Sequence, residues 1–157
     1  MTQLTAHFTF ADVIESSTAE RLRIDNSLPP ELVASVRNTA EGMERVRAVL
    51  YASPVDTSSW YRCLTLNRIL KSKDTSQHVK GEAVDFTCKT FGTPVQVCKR
   101  LVKEAEAILF DQLILEHSWV HISFNSVPGG KQKGQVLSLL SGGDYAPGLT
   151  DLKGRPI

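Results

Sequence analysis

His78 and Asp85 stand seven positions apart in Ser76-Gln77-His78-Val79-Lys80-Gly81-Glu82-Ala83-Val84-Asp85-Phe86, with Gly81 between them. Another histidine, His121, follows in Trp119-Val120-His121-Ile122-Ser123. Two imidazoles and one carboxylate are a donor set for zinc that leaves a fourth position open to water. Ligands to zinc must converge tightly, because the bonds are only ~2.0–2.2 Å long. A spacing of seven does not suit one helix face, but a loop feeding a strand brings both groups together, and Gly81 allows the sharp turn. Asp85 lies among Ala83, Val84 and Phe86. An unpaired carboxylate is costly to bury there, and a metal removes the cost. Taken singly, each residue has a plainer reading: an exposed His78, a helix-capping Asp85, a hydrogen-bonded core His121. Taken together, the three favour a metal.

Hydrolysis at such a metal needs a general base for the attacking water. Glu116 is the best placed acid, since it ends an apolar run and precedes His121 by five residues. Glu82 points away from the neighbours of Asp85 by strand alternation. Asp111 reads as a surface or helix-end residue. A developing oxyanion also needs a donor. Arg62, after the aromatic pair Trp60-Tyr61, is the choice, although most arginines are simply surface residues paired with an acid. His117 can reach the edge of the metal or the substrate, and His7 reads as a surface residue.

These residues need a scaffold. Thr9 and Asp12 form a capping box for a short helix ending near Ser16-Ser17. Residues 18 to 29 read as loop. Pro29-Pro30-Glu31 opens the clearest helix, since proline and acid suit a first turn. Leu32, Val33, Val36, Ala40, Met43, Val46, Val49 and Leu50 supply its buried stripe. Val55 to Tyr61 has strand composition, Leu64 to Leu70 suits a short helix, and Lys71 to Ser76 is loop. Ala83 to Thr87 fits a strand beginning just past Gly81. Thr93-Pro94 starts a second long helix with an apolar face from Val97 to Ile108. Leu113 to Glu116 and Val120 to Phe124 make a hairpin across His117-Ser118-Trp119. Val136 to Leu140 could add an edge strand, and the tail beyond Gly142 reads as loop. The expected fold is α+β: a small, mainly antiparallel sheet packed against two long helices, in one domain spanning 1–157.

The totals exclude several classes. The chain has 157 residues and a formal net charge of +1, with Lys and Arg scattered, so nothing points to nucleic acid. Cys63, Cys88 and Cys98 form no C-x-x-C pair, which argues against a disulfide framework or a cysteine zinc knuckle. Buried thiols in a reducing compartment are the expectation. The N-terminus lacks a basic region followed by an apolar run, and no apolar stretch approaches the ~18 residues of a membrane span.

At these residues the sequence resembles the zinc D-Ala-D-Ala carboxypeptidase family of murein peptidases, a group related to the hedgehog signalling domain. Ser76, His78, Gly81, Ala83 and Asp85 match its Ser-x-His-x-x-Gly-x-Ala-x-Asp pattern. Trp119, Val120 and His121 match its Trp-Val-His strand, and Tyr61-Arg62 its Tyr-Arg. The phrase Phe110 to Glu116 is similar to short phage and prophage members, and the likeness runs from about Phe8 to Leu139. The resemblance implies Zn²⁺ on His78, Asp85 and His121. It implies Arg62 on the scissile carbonyl and Ser76 at the D-alanyl end of a substrate; Tyr61, beside Arg62, and His117, from its place in the hairpin loop, are further expected substrate contacts. The implied substrate is the peptidoglycan stem peptide, cut at D-Ala-D-Ala or at a bond such as L-Ala-D-Glu. The expected setting is a monomeric phage or prophage lysin, made in the bacterial cytoplasm and acting on the wall after release or as part of a virion. One departure stands out. Many members carry an acid three residues before the last histidine, where this chain has Ser118. Glu116 lies close to where hedgehog-type relatives keep a glutamate. A non-catalytic zinc module that binds wall peptide or a protein partner is the alternative that this departure leaves open.

Overall fold

A computed structural model describes residues 2–157. Its helices are α1 Phe10–Ile14, α2 Ser17–Leu22, α3 Val33–Val49, α4 Leu64–Ile69, α5 Pro94–Lys103 and α6 Ala105–Ile108. Its strands are β1 Asp56–Ser59, β2 Ala83–Thr87, β3 Gln112–Leu115, β4 Val120–Ser123, β5 Gln135–Leu139 and β6 Tyr145–Pro147. All six strands form one sheet in the order β1-β2-β4-β3-β5-β6.

The capping residues act as their chemistry requires. Thr9 and Asp12 close a reciprocal box on α1, and Thr93 and Gln96 do the same on α5 with Pro94 in the first turn. A 3₁₀ turn, Pro30–Leu32, leads into α3. Val36, Ala40, Met43, Val46 and Leu50 of that helix stripe are fully buried. They join Val84, Phe86, Leu113, Leu115, Val120 and Ile122, which alternation sends to one face of the sheet. Full burial contributes about 1.5–3 kcal/mol for each large apolar side chain of this kind. Gly42 lets α3 approach closely, since a Cβ there would lie 2.6 Å from the ring of Phe124.

Several expectations are corrected. The sheet is mixed rather than mainly antiparallel, because β5 runs parallel to β3. The path explains this. Strand β4 ends at Ser123 beside Gln112, and the chain returns through residues 124–134 to start β5 beside Gln112 on its other side. A segment of that length can step over β3, and residue periodicity carries no information on strand direction. Only one of the two expected long helices is present, since the second stops at Lys103 and restarts at Ala105 as α6. Residues 17–22 are helix, not loop: Ser16 accepts from the Ala19 amide, and Ala19 is the one buried residue, too few to produce a periodic signal. Strand β5 is not the edge, because β6 pairs with it from the tail expected to be loop.

Candidate metal centre

The other face of the sheet carries the polar cluster. Asp85 of β2 and His121 of β4 are direct antiparallel partners. His78 arrives from a 3₁₀ turn, Gln77–Lys80, whose cap Ser76 accepts from the His78 amide at 3.3 Å. Gly81 ends that turn in the left-handed region at φ 70°, and a Cβ on it would sit 2.6 Å from Val36 Cγ1. Its carbonyl accepts from Trp60 Nε1 at 3.0 Å and from Thr39 Oγ1 at 2.9 Å. The turn is therefore pinned to both α3 and the segment after β1. One donor atom from each of His78, Asp85 and His121 lies within 4.8 Å of the others.

The donor chemistry fits a cation. His78 Nδ1 lies 2.6 Å from the Trp60 carbonyl, which can only accept, so this nitrogen carries the proton. Burial pushes the His78 pKa down and favours the neutral ring. Its remaining lone pair, on Nε2, then faces Asp85 Oδ2 at 3.3 Å. A lone pair against an acceptor-only carboxylate is unfavourable unless a positive charge lies between them. The 3.3 Å separation also matches the edge of a tetrahedron with zinc bonds of ~2.0–2.1 Å. Asp85 Oδ1 is 2.9 Å from His121 Nδ1. Burial works to raise the Asp85 pKa, but the adjoining imidazoles outweigh it and hold the carboxylate well below its ordinary value. These three residues would hold zinc, which supplies Lewis acidity when bound, acidifying water and polarising a carbonyl.

Arg62 bonds Asp85 directly, Nη2 to Oδ2 at 3.1 Å. Its Nε donates to Ser59 Oγ at 2.9 Å and its Nη1 reaches Asn67 Oδ1 at 3.5 Å. A bulge between Thr57 and Ser59 sets Ser59 opposite Asp85 and so aims its hydroxyl at the guanidinium. Three of the five guanidinium N–H groups are used this way, which leaves two.

Glu116 follows β3 on the same face as Ile114, which pairs with His121. Burial raises its pKa, while a hydrogen bond from Tyr145 and the charge of His121 pull the other way. His117 takes φ 67° and places Nε2 3.0 Å from the Leu139 carbonyl, tying the hairpin turn to β5. Tyr61 is buried in the core beside Trp60. Ser118 is exposed. Glu82 is turned away as expected: its Oε2 accepts from the Ser126 amide and hydroxyl, each at 2.7 Å. Asp111 is buried rather than a surface residue, accepting from Gln77 Nε2 at 3.2 Å and the Lys133 amide at 3.0 Å.

Residue type and spacing did not point to Tyr145, Ser59, Asn67 or the Trp60 carbonyl. The first was detectable, because Gly142-Gly143 between two short runs is a hairpin signal. The others act through a bulge, a helix side chain and a main-chain oxygen, none of which leaves a spacing pattern.

A family model described as Peptidase M15 matches residues 6–123, three quarters of the chain. That stretch contains His78, Asp85, His121, Arg62 and Glu116. A search of curated proteins finds no match to the chain.

Proposed function

The chain belongs to the peptidase M15 family and is a zinc metallopeptidase, and on that premise we propose that it cleaves a peptide bond of the peptidoglycan stem. The observation that carries the reading is the convergence of His78, Asp85 and His121 on one face of the sheet, the face turned away from the core. The bond is D-Ala-D-Ala or an internal one of the L-Ala-D-Glu type. The single domain serves as a monomeric phage or prophage lysin, made in the bacterial cytoplasm and acting on the wall after release or from a virion. The short phage-like phrase Phe110 to Glu116 supports that setting. The likeness to the hedgehog domain belongs to the same proposal.

Each role follows from what the residue touches. His78, Asp85 and His121 hold the metal. The Trp60 carbonyl fixes the His78 tautomer so that Nε2 points inward. Glu116, half-buried, accepts the proton of the attacking water. Arg62 donates to Asp85 and offers its two unused N–H groups to the oxyanion of the scissile carbonyl. Ser76 and His117 flank the cluster as substrate contacts. Tyr61 is only 6% exposed, so it contributes from beneath, by supporting Arg62 next to it in the chain.

Purified muropeptides incubated with zinc-loaded protein test the reading, with released D-alanine or new amino groups as the readout. Cleavage that disappears in His78→Ala supports it. Intact muropeptides in the presence of one bound zinc per chain would instead assign the centre to a non-catalytic wall-binding module.

A further inference from the structure

Tyr145 lies on β6, past the end of the family-matched residues. Strand pairing still delivers it to the metal face. Ile114 neighbours both His121 and Leu137. Two residues on, Glu116 and Leu139 keep that face, and Leu139 pairs with Tyr145. The Tyr145 hydroxyl lies 3.2 Å from Oε1 and 3.3 Å from Oε2 of Glu116. Both distances exceed the usual ~2.5–3.0 Å of an O–H···O bond, so the phenol makes a long hydrogen bond divided between the two carboxylate oxygens. An acid at the start of a turn needs such a restraint, because nothing on its own strand fixes the side chain.

We propose that Tyr145 is a positioning residue for Glu116, its phenol fixing the carboxylate on the metal face, so that the β5–β6 hairpin is part of the active site. The inference rests on Glu116 being the base. The charged groups facing Glu116 are His121 of β4, Asp85 of β2 and His117 of the turn, with the Tyr145 phenol from β6. Burial, followed by the Glu116 charge, pushes the Tyr145 phenol up to about 12. The phenol therefore stays protonated and able to donate throughout the working range.

Tyr145→Phe removes only the donor. Its kcat should fall about fivefold to tenfold with KM nearly unchanged, the loss expected for one long, partly exposed hydrogen bond. The acidic limb of its pH profile should move upward by about half a unit, since a base without its donor is harder to ionise. Zinc stoichiometry should be unaffected. A second measurement needs neither metal nor turnover. Carbon-13 NMR of the tyrosine Cζ in metal-free protein follows the phenol directly, with Tyr145→Phe assigning the signal. In Glu116→Gln the phenol should ionise about one unit lower than in the wild type. A Tyr145→Phe pH profile superimposable on the wild type, or a phenol indifferent to Glu116→Gln, overturns the inference. Retained hydrolysis in Glu116→Gln overturns the base assignment beneath it. Lost hydrolysis there, with a wild-type profile for Tyr145→Phe, overturns this inference alone.

Discussion

Replacing Gly81 with Ala perturbs the turn on which the whole centre depends. Gly81 sits at φ 70°, and a left-handed backbone costs a residue with a Cβ ~1–2 kcal/mol. The added Cβ would also lie 2.6 Å from Val36 Cγ1, and Val36 is fully buried in α3. Val36 has no room to withdraw, and overpacking of this kind costs ~1–3 kcal/mol. The two together give a loss of ~2–5 kcal/mol, or a Tm lower by on the order of 10 °C for a chain of this size. Gly134→Ala is the matched control. Gly134 has φ 63° with nothing within 4 Å of its Cβ position, so only the backbone cost of ~1–2 kcal/mol applies. Urea denaturation of both variants, metal-free, measures the two contributions. Zinc affinity should also fall in Gly81→Ala alone. The Gly81 carbonyl holds Trp60 Nε1, and the Trp60 carbonyl holds His78 Nδ1, so displacing one displaces the other. Equal losses at both glycines would refute the steric argument, and a Gly81→Ala protein within ~0.5 kcal/mol of wild type would refute the whole of it.

His78→Ala should lose both stoichiometric zinc, by elemental analysis, and hydrolysis. Glu116→Gln should retain zinc while hydrolysis drops ~10²–10⁴-fold, the usual contribution of a general base. The metal-free protein should become less stable as pH falls. Burial lowers the folded His78 pKa, so only the unfolded chain takes up that proton, and stability declines as pH drops below ~6.5. Asp85 is also depressed in the fold, despite the opposing effect of burial, so its stabilisation is present above ~3.9 and lost as pH falls further. Urea midpoints across that range should show both limbs, and His78→Gln should flatten the upper one.

Much of the centre was legible because its information is local. The Ser76 to Asp85 segment carries its own cap, turn glycine and strand, so its spacing already suggests that His78 and Asp85 come together, which they do at 3.3 Å. The Leu113 to Phe124 hairpin was equally plain, since a short turn forces its strands to pair and sets His121 opposite Ile114, but the β2–β4 pairing that brings His121 beside Asp85 is long-range. What was not legible depends on long-range pairing. The direction of β5 follows from a chain path across β3, and the role of Tyr145 from a strand that joins last. Asp111 was misplaced for a similar reason, since its partners Gln77 and Lys133 lie 34 and 22 residues away. The break at Glu104 divides a helix whose apolar pattern continues across it, so periodicity read one helix where there are two.

Mass spectrometry of peptidoglycan digested by the zinc-loaded protein tests the central claim most directly, because it reports activity and bond together. A single new mass series from cleavage at one stem-peptide bond, absent after chelation and restored by zinc, is the predicted result. Unchanged muropeptides from a folded protein carrying one zinc on His78, Asp85 and His121 would contradict it.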